Sequence, residues 1–230
     1  MHYFKDRKQA GELLVERIKK YNPKYTKPTV IALDEGGVLA GVEIAKGLHA
    51  PMYMLTTEDV DLPGENTSVG IASSEGNFIY NSVYSSGQLD ELKGDYRQII
   101  DQEQFKAFQK LNRIIGKDGL IKKSLLKKHE IILVSDGLKD PMKLEVAADF
   151  LKPIDAEKLI IATPIATVDV VDKMHLLADE VYCLGVIESY FLVDHYYQNN
   201  NLPDHKTAVK MVKNIVFSWQ SDPKNITQKA

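Results

Sequence analysis

Cysteine is nearly absent: Cys183 is the only one among 230 residues, so no intramolecular disulfide can form. Its place at the end of Val181-Tyr182-Cys183-Leu184 fits a small core residue better than a nucleophile. No stretch approaches the roughly 20 apolar residues that a membrane span needs, which argues against an integral membrane protein. Nor is there an excess of one charge. With 29 basic and 32 acidic residues the formal net charge is -3, and nothing global draws the chain toward nucleic acid or an anionic membrane. Internal repeats and low-complexity tracts are missing as well. His49, His129, His175 and His205 show no metal-ligand spacing with Cys183 or with one another. The opening residues Met1 to Lys8 are charged where a secretory leader is apolar, which predicts a cytoplasmic protein.

What is present is the composition of a globular chain, 44% hydrophobic and 27% charged, long enough to bury a sizeable core as one domain. Between Asp6 and Tyr21, Ala10, Leu13, Leu14, the Arg17 stem and Ile18 recur at helical spacing, and Pro23 follows. Thr29 to Leu33 is continuous, apolar and β-branched, as in a strand buried on both faces of a parallel sheet. A helix over about Val38 to Leu48 and a strand over Pro51 to Leu55 complete a βαβ unit. Residues 56 to 87 alternate β-prone pieces, Ser68 to Ala72 and Asn77 to Tyr80, with turn signals, and so predict an inserted β flap. Ile99, Phe105, Phe108, Leu111 and Ile114 predict the core face of a helix over Gln98 to Ile115, closed by Gly116 and Gly119.

Glu130 to Val134 leads to a helix after Pro141, and Lys158 to Ala162 leads to a helix over Val168 to Leu177. A strand over Glu180 to Leu184 and a final helix over Asp204 to Trp219 follow, with 221–230 as a polar tail. This alternation predicts an α/β domain with a mostly parallel sheet flanked by helices. Right-handed crossovers put the strand C-terminal ends and their loops on one rim, where ligands bind in such sheets.

Six short pieces occur in order: Phe4-Lys5-Asp6-Arg7 with Ala10-Gly11, Glu35-Gly36-Gly37-Val38, Val69 to Ala72, Leu133 to Gly137, Ala162 to Ala166, and Tyr196-Tyr197. Together they resemble a bacterial branch of the type I phosphoribosyltransferases over residues 3 to 215. The resemblance implies displacement of pyrophosphate from phosphoribosyl pyrophosphate by a nitrogen nucleophile, with magnesium bridging the diphosphate and ribose hydroxyls. It also implies a small nucleotide-like or sugar-phosphate ligand and a homodimer, with no nucleic-acid or membrane partner. One family loop, usually Pro-Arg-Gly-Gly, cradles pyrophosphate, and the corresponding stretch here is Asp34-Glu35-Gly36-Gly37. A second runs from two acids that hold the ribose into a Thr-Gly turn that binds the 5′-phosphate at a helix start. In this chain it reads Ser135-Asp136-Gly137-Leu138-Lys139-Asp140-Pro141-Met142-Lys143.

The chain departs from that pattern where anions would sit. Ser135 replaces the first acid, Asp140 and Lys143 replace threonines, and Pro141 offers no N–H. After the second strand, where the family offers a basic residue, stand Thr56-Thr57-Glu58-Asp59. Two like charges about 4 Å apart repel by about 4 kcal/mol at an effective dielectric of 20, so each exchange of cation for anion reverses a favourable term. Asp34 and Glu35 read either as a paired acid/base or metal site or as a solvated loop, and adjacent residues rarely point the same way. Asp136 reads as a magnesium or ribose contact or as a helix cap. Lys139 and Lys143 read as a new phosphate clamp or as exposed lysines, and Tyr196 and Tyr197 as a stacking surface for a base or as packing. The acids Glu58, Asp59, Asp61 and Glu65 read as a cation site or a solvated flap. Two functions follow: a ligand-binding or regulatory module whose standard activity is lost or altered, or a working transferase or hydrolase with Asp34, Glu35 and Asp136 as its acidic centre.

Overall fold

The computed structural model describes residues 3–65, 67–115 and 121–220. Gly116, Gly119 and the tail over 221–230 lie outside them. The contacts divide the chain into two compact units, 1–54 with 122–141 and 154–230, and 55–121 with 142–153. The sequence suggests one domain with a flap over about 56–87; the second unit holds that flap together with two helices.

In the first unit, α1 (Arg7–Tyr21) opens behind Asp6, whose side chain accepts from the Gln9 N–H as a helix cap. Its buried stripe is Arg7, Ala10, Gly11, Leu14 and Ile18, whereas Leu13, expected in the core, is exposed. β1 (Pro28–Ala32), α2 (Glu35–Leu48), β2 (Met52–Met54), β6 (Glu130–Val134), β7 (Lys158–Thr167), α5 (Val168–Leu177), β8 (Glu180–Ile187) and α6 (His205–Gln220) complete the unit. The five strands form a wholly parallel sheet in the order β2-β1-β6-β7-β8, with Ile31 opposite Tyr53 on one side and Leu133 on the other. Every residue of β1 is buried, which is why its sequence shows no polar alternation. Val30, Ala32, Ile132, Val134, Ile160 and Ala162 line one face of the sheet and pack with Leu14 and Ile18 of α1, Val38 and Ile44 of α2, and Ala208 and Ile215 of α6.

The second unit contains β3 (Thr57–Val60), β4 (Gly70–Ser73), β5 (Phe78–Tyr80), α3 (Ser86–Ile115) and α4 (Met142–Leu151). The three strands make an antiparallel sheet in the order β3-β4-β5. β3 was not legible because Thr57-Glu58-Asp59 is polar, and its ladder partners, not its own apolarity, make it a strand. α3 starts twelve residues earlier than Gln98 and bends at Tyr96, where φ is −119° and ψ 16°. Its core face also differs from the predicted one. Ile100, Ala107 and Leu111 are buried with Phe108 against them, while Ile99, Phe105 and Ile114 are exposed. Ala107 is a small residue that a count of large apolar side chains passes over, and it, not Phe105, completes the buried stripe with Ile100 and Leu111.

Candidate functional site

In the five-stranded sheet the chain moves outward from β1 to β2 on one side and resumes at β6 on the other, so the order reverses between β1 and β6. In open α/β sheets the crevice outside the strand ends at such a reversal is where ligands bind. The loops that follow these two strands are the two singled out in the sequence, 34–37 and 135–141.

Asp34 is the N-cap of α2, and its Oδ1 accepts from the Gly37 N–H at 2.6 Å. The helix therefore begins at Glu35, not near Val38, and Gly36 and Gly37 are buried in its first turn. The Ser135 hydroxyl donates to Asp34 Oδ2 at 2.8 Å, which joins the two loops. Asp34 and Glu35 diverge: Glu35 Oε1 lies 3.0 Å from His205 Nδ1 of α6, on a different set of partners. The positive end of α2, a position suited to a bound anion, thus holds a carboxylate of the chain itself.

Asp136 is buried, and its Oδ2 accepts from Arg7 Nε at 2.5 Å. Arg7 is 1% exposed, lies with its guanidinium carbon 4.5 Å from the Tyr197 ring centroid, and donates through Nη2 to Asp194 at 2.5 Å and through Nη1 to Asn200 at 3.3 Å. Burial alone would lower the Arg7 pKa, but the Asp136 carboxylate and the hydrogen bonds to Asp136 and Asp194 hold it above the ordinary value. Gly36 is required here, because a Cβ at that position would lie 2.0 Å from Asp136 Oδ2. Gly137 is required for the same kind of reason, since its Cβ would meet the Tyr190 hydroxyl at 2.4 Å.

Beyond Gly137 the loop is held as a short extension of the sheet. Leu138 N–H donates to the Ile165 carbonyl, Thr167 N–H donates to the Leu138 carbonyl, and the Thr167 hydroxyl donates to the Lys139 carbonyl. Leu138 is buried by this pairing, while Lys139 and Asp140 are exposed. Lys143 stands in the first turn of α4, in the other unit. Glu58, which the sequence places at a phosphate-facing turn, belongs to β3 of the second unit and is ion-paired with Lys110.

Tyr196 and Tyr197 are buried in a cluster with Phe4, Ala10, Ile165 and Ile187. Tyr197 is 0% exposed and donates its hydroxyl to the Asp136 carbonyl at 2.6 Å. Its ring faces Arg7 and Phe4, so it presents no open face to a base in this structure. Burial first, and the Asp136 charge second, push the phenols of Tyr197 and Tyr190 well above their usual range. The exposed aromatic of this segment is Phe191, at 65%. With Lys139, Tyr190, Leu192, Asp194 and His195 it lines a groove of about 550 Å³.

Sequence reasoning assigned no role in the site to Arg7, Tyr190, Phe191 or Asp194. For Arg7 a signal existed: it falls on the same helical stripe as Ala10, Gly11, Leu14 and Ile18, a charged residue aligned with a core face. A resident magnesium ion, which the family resemblance implies, needs several open oxygen ligands. Here the first acid is a serine bonded to Asp34, and the second is sealed against Arg7 and Gly36. Among the described residues no three acidic, histidine or cysteine side chains converge. These residues do not fit that ion.

A parallel sheet of this order with two rim loops at its reversal, in a chain that also forms a small antiparallel sheet, is an α/β arrangement that matches the type I phosphoribosyltransferase fold. The protein TT1426 from Thermus thermophilus shares the fold, with a TM-score of 0.68 and 22% identity over 95% of this chain and 99% of that one. A purine phosphoribosyltransferase from Pyrococcus horikoshii aligns with a TM-score of 0.45 and 13% identity, covering 85% of this chain and 90% of its own. In sequence, the chain is 28% identical over 205 residues to a Mycobacterium tuberculosis protein named "Putative phosphoribosyl transferase", with the same match in two strains. That alignment covers 86% of this chain and 44% of the relative, so the chain spans less than half the length of the curated relatives it matches. No protein-family model matches it. The chain is thus similar in sequence to proteins named as phosphoribosyl transferases, and it shares its fold with TT1426.

Proposed function

We propose that this chain is a phosphoribosyltransferase-like ligand-binding or regulatory module that takes a small nucleotide-like or sugar-phosphate ligand on the β1–β6 rim and has given up the standard transfer from phosphoribosyl pyrophosphate. The observation that carries this reading is the double self-occupation of the rim. Asp34 fills the start of α2, and Asp136 is bound into the core by Arg7. A pyrophosphate entering loop 34–37 would meet Asp34 and Glu35 in place of the family's arginine, and a 5′-phosphate entering loop 135–141 would meet Asp140. A ligand of low negative charge suits the exposed Lys139 and the groove beside it.

Calorimetric titration of phosphoribosyl pyrophosphate with magnesium tests this, on the unaltered protein and on an Asp140→Thr, Pro141→Gly, Lys143→Thr variant. No heat from the unaltered protein, with binding partly restored in the variant, is the expected result. Saturable binding by the unaltered protein at micromolar levels, about −8 kcal/mol, would overturn the reading and favour a working enzyme.

A further inference from the structure

Arg7 has its donors engaged unequally. Asp136, on Nε, is buried; Asp194, on Nη2, has a side chain that is 51% exposed. One cation therefore faces two carboxylates, and the second is a surplus negative charge beside a buried ion pair. Asp194 also lines a groove with Lys139, Tyr190, Phe191, Leu192 and His195, about 550 Å³ and large enough for a small ligand. The Lys139 side chain makes no ion pair or hydrogen bond among the described residues. An anion in the groove would thus have Lys139 in the wall and Arg7 directly behind Asp194. The guanidinium fork that binds a carboxylate oxygen binds a phosphate oxygen with the same geometry.

We propose that Asp194 is an autoinhibitory internal anion: its carboxylate occupies Arg7 Nη2, the position that an oxygen of a phosphate monoester takes when the ligand enters the groove. This rests on the reading above that the rim accepts a phosphate-bearing ligand, and it adds a regulation of that site. Swinging Asp194 aside exchanges one anion for another at Arg7 and leaves the Arg7–Asp136 pair in place.

The test is calorimetric titration of inorganic phosphate and of adenosine 5′-monophosphate into the full chain and into Asp194→Asn. Glu188→Gln, which removes an exposed acid just after β8, serves as a charge control. Asp194→Asn binds both probes about tenfold more tightly than the unaltered chain, equivalent to about 1.4 kcal/mol, and Glu188→Gln does not. Adding Arg7→Lys to Asp194→Asn removes most of the gain, because an ammonium lacks the fork. Equal affinity in folded Asp194→Asn and unaltered protein overturns the proposal, as does an equal gain in Glu188→Gln. Asp194→Ser replaces Asp194→Asn if circular dichroism shows that the latter is unfolded, with the same criteria. Binding of phosphoribosyl pyrophosphate by the unaltered protein would defeat the proposed function yet leave this comparison standing, since the comparison is read from inorganic phosphate.

Discussion

Replacing Arg7 by methionine isolates the contact on which the rim depends. Methionine keeps much of the apolar stem but removes the guanidinium, so Asp136 is left buried without its cation. Breaking a buried ion pair by removing one partner costs about 3–5 kcal/mol. Loss of the cation over Tyr197 adds about 0.5–2 kcal/mol. A total of about 3.5–7 kcal/mol lowers the melting temperature of a chain of 230 residues by roughly 7–28 °C. Urea unfolding followed by circular dichroism measures the loss directly. The double variant Arg7→Met with Asp136→Asn leaves no buried unpaired charge, since Asp194 is half-exposed, and recovers about half of the loss or more, giving a coupling that a double-mutant cycle reads. A loss below about 1 kcal/mol for Arg7→Met would mean that the pair behaves like an exposed one, and the account of a sealed Asp136 would fall.

Other consequences follow from the same geometry. Gly36→Ala drives a Cβ to 2.0 Å from Asp136 Oδ2 and costs about 1–3 kcal/mol in urea melts, with a smaller loss in an Asp136→Ala background. Asp34→Ala removes the cap of α2 and costs about 1 kcal/mol, a figure that thermal melts of the paired proteins check. The Tyr197 phenol, raised above its ordinary value of 10.0 by burial and then by Asp136, keeps its proton in the folded chain when the unfolded chain loses it. Its stabilising contribution is complete below about pH 10 and falls as pH rises beyond that, so urea midpoints drop between pH 9 and pH 11 and drop less in Tyr197→Phe. Burial likewise pushes the Cys183 thiol up, and iodoacetamide at neutral pH labels the folded protein at least about tenfold more slowly than the urea-unfolded one.

The sequence alone determined the elements whose signal is local. β1, β6 and the start of β7 show as unbroken apolar runs, because strands buried on both faces need no polar alternation, and α5 has the predicted bounds Val168 to Leu177. The short motifs were enough to indicate the fold family, and their substitutions placed the departures at the two rim loops. Tertiary structure decided what lies far apart in the chain. It paired Arg7 with Asp136 across 129 positions and with Asp194 across 187, put Tyr196 and Tyr197 in the core, and gave β3 its place through ladder partners. It also divided Asp34 from Glu35, one toward Ser135 and the other toward His205. Periodicity reports which face of an element is buried; it carries no information on which distant charge is buried against that face, and the candidate site consists of such pairings.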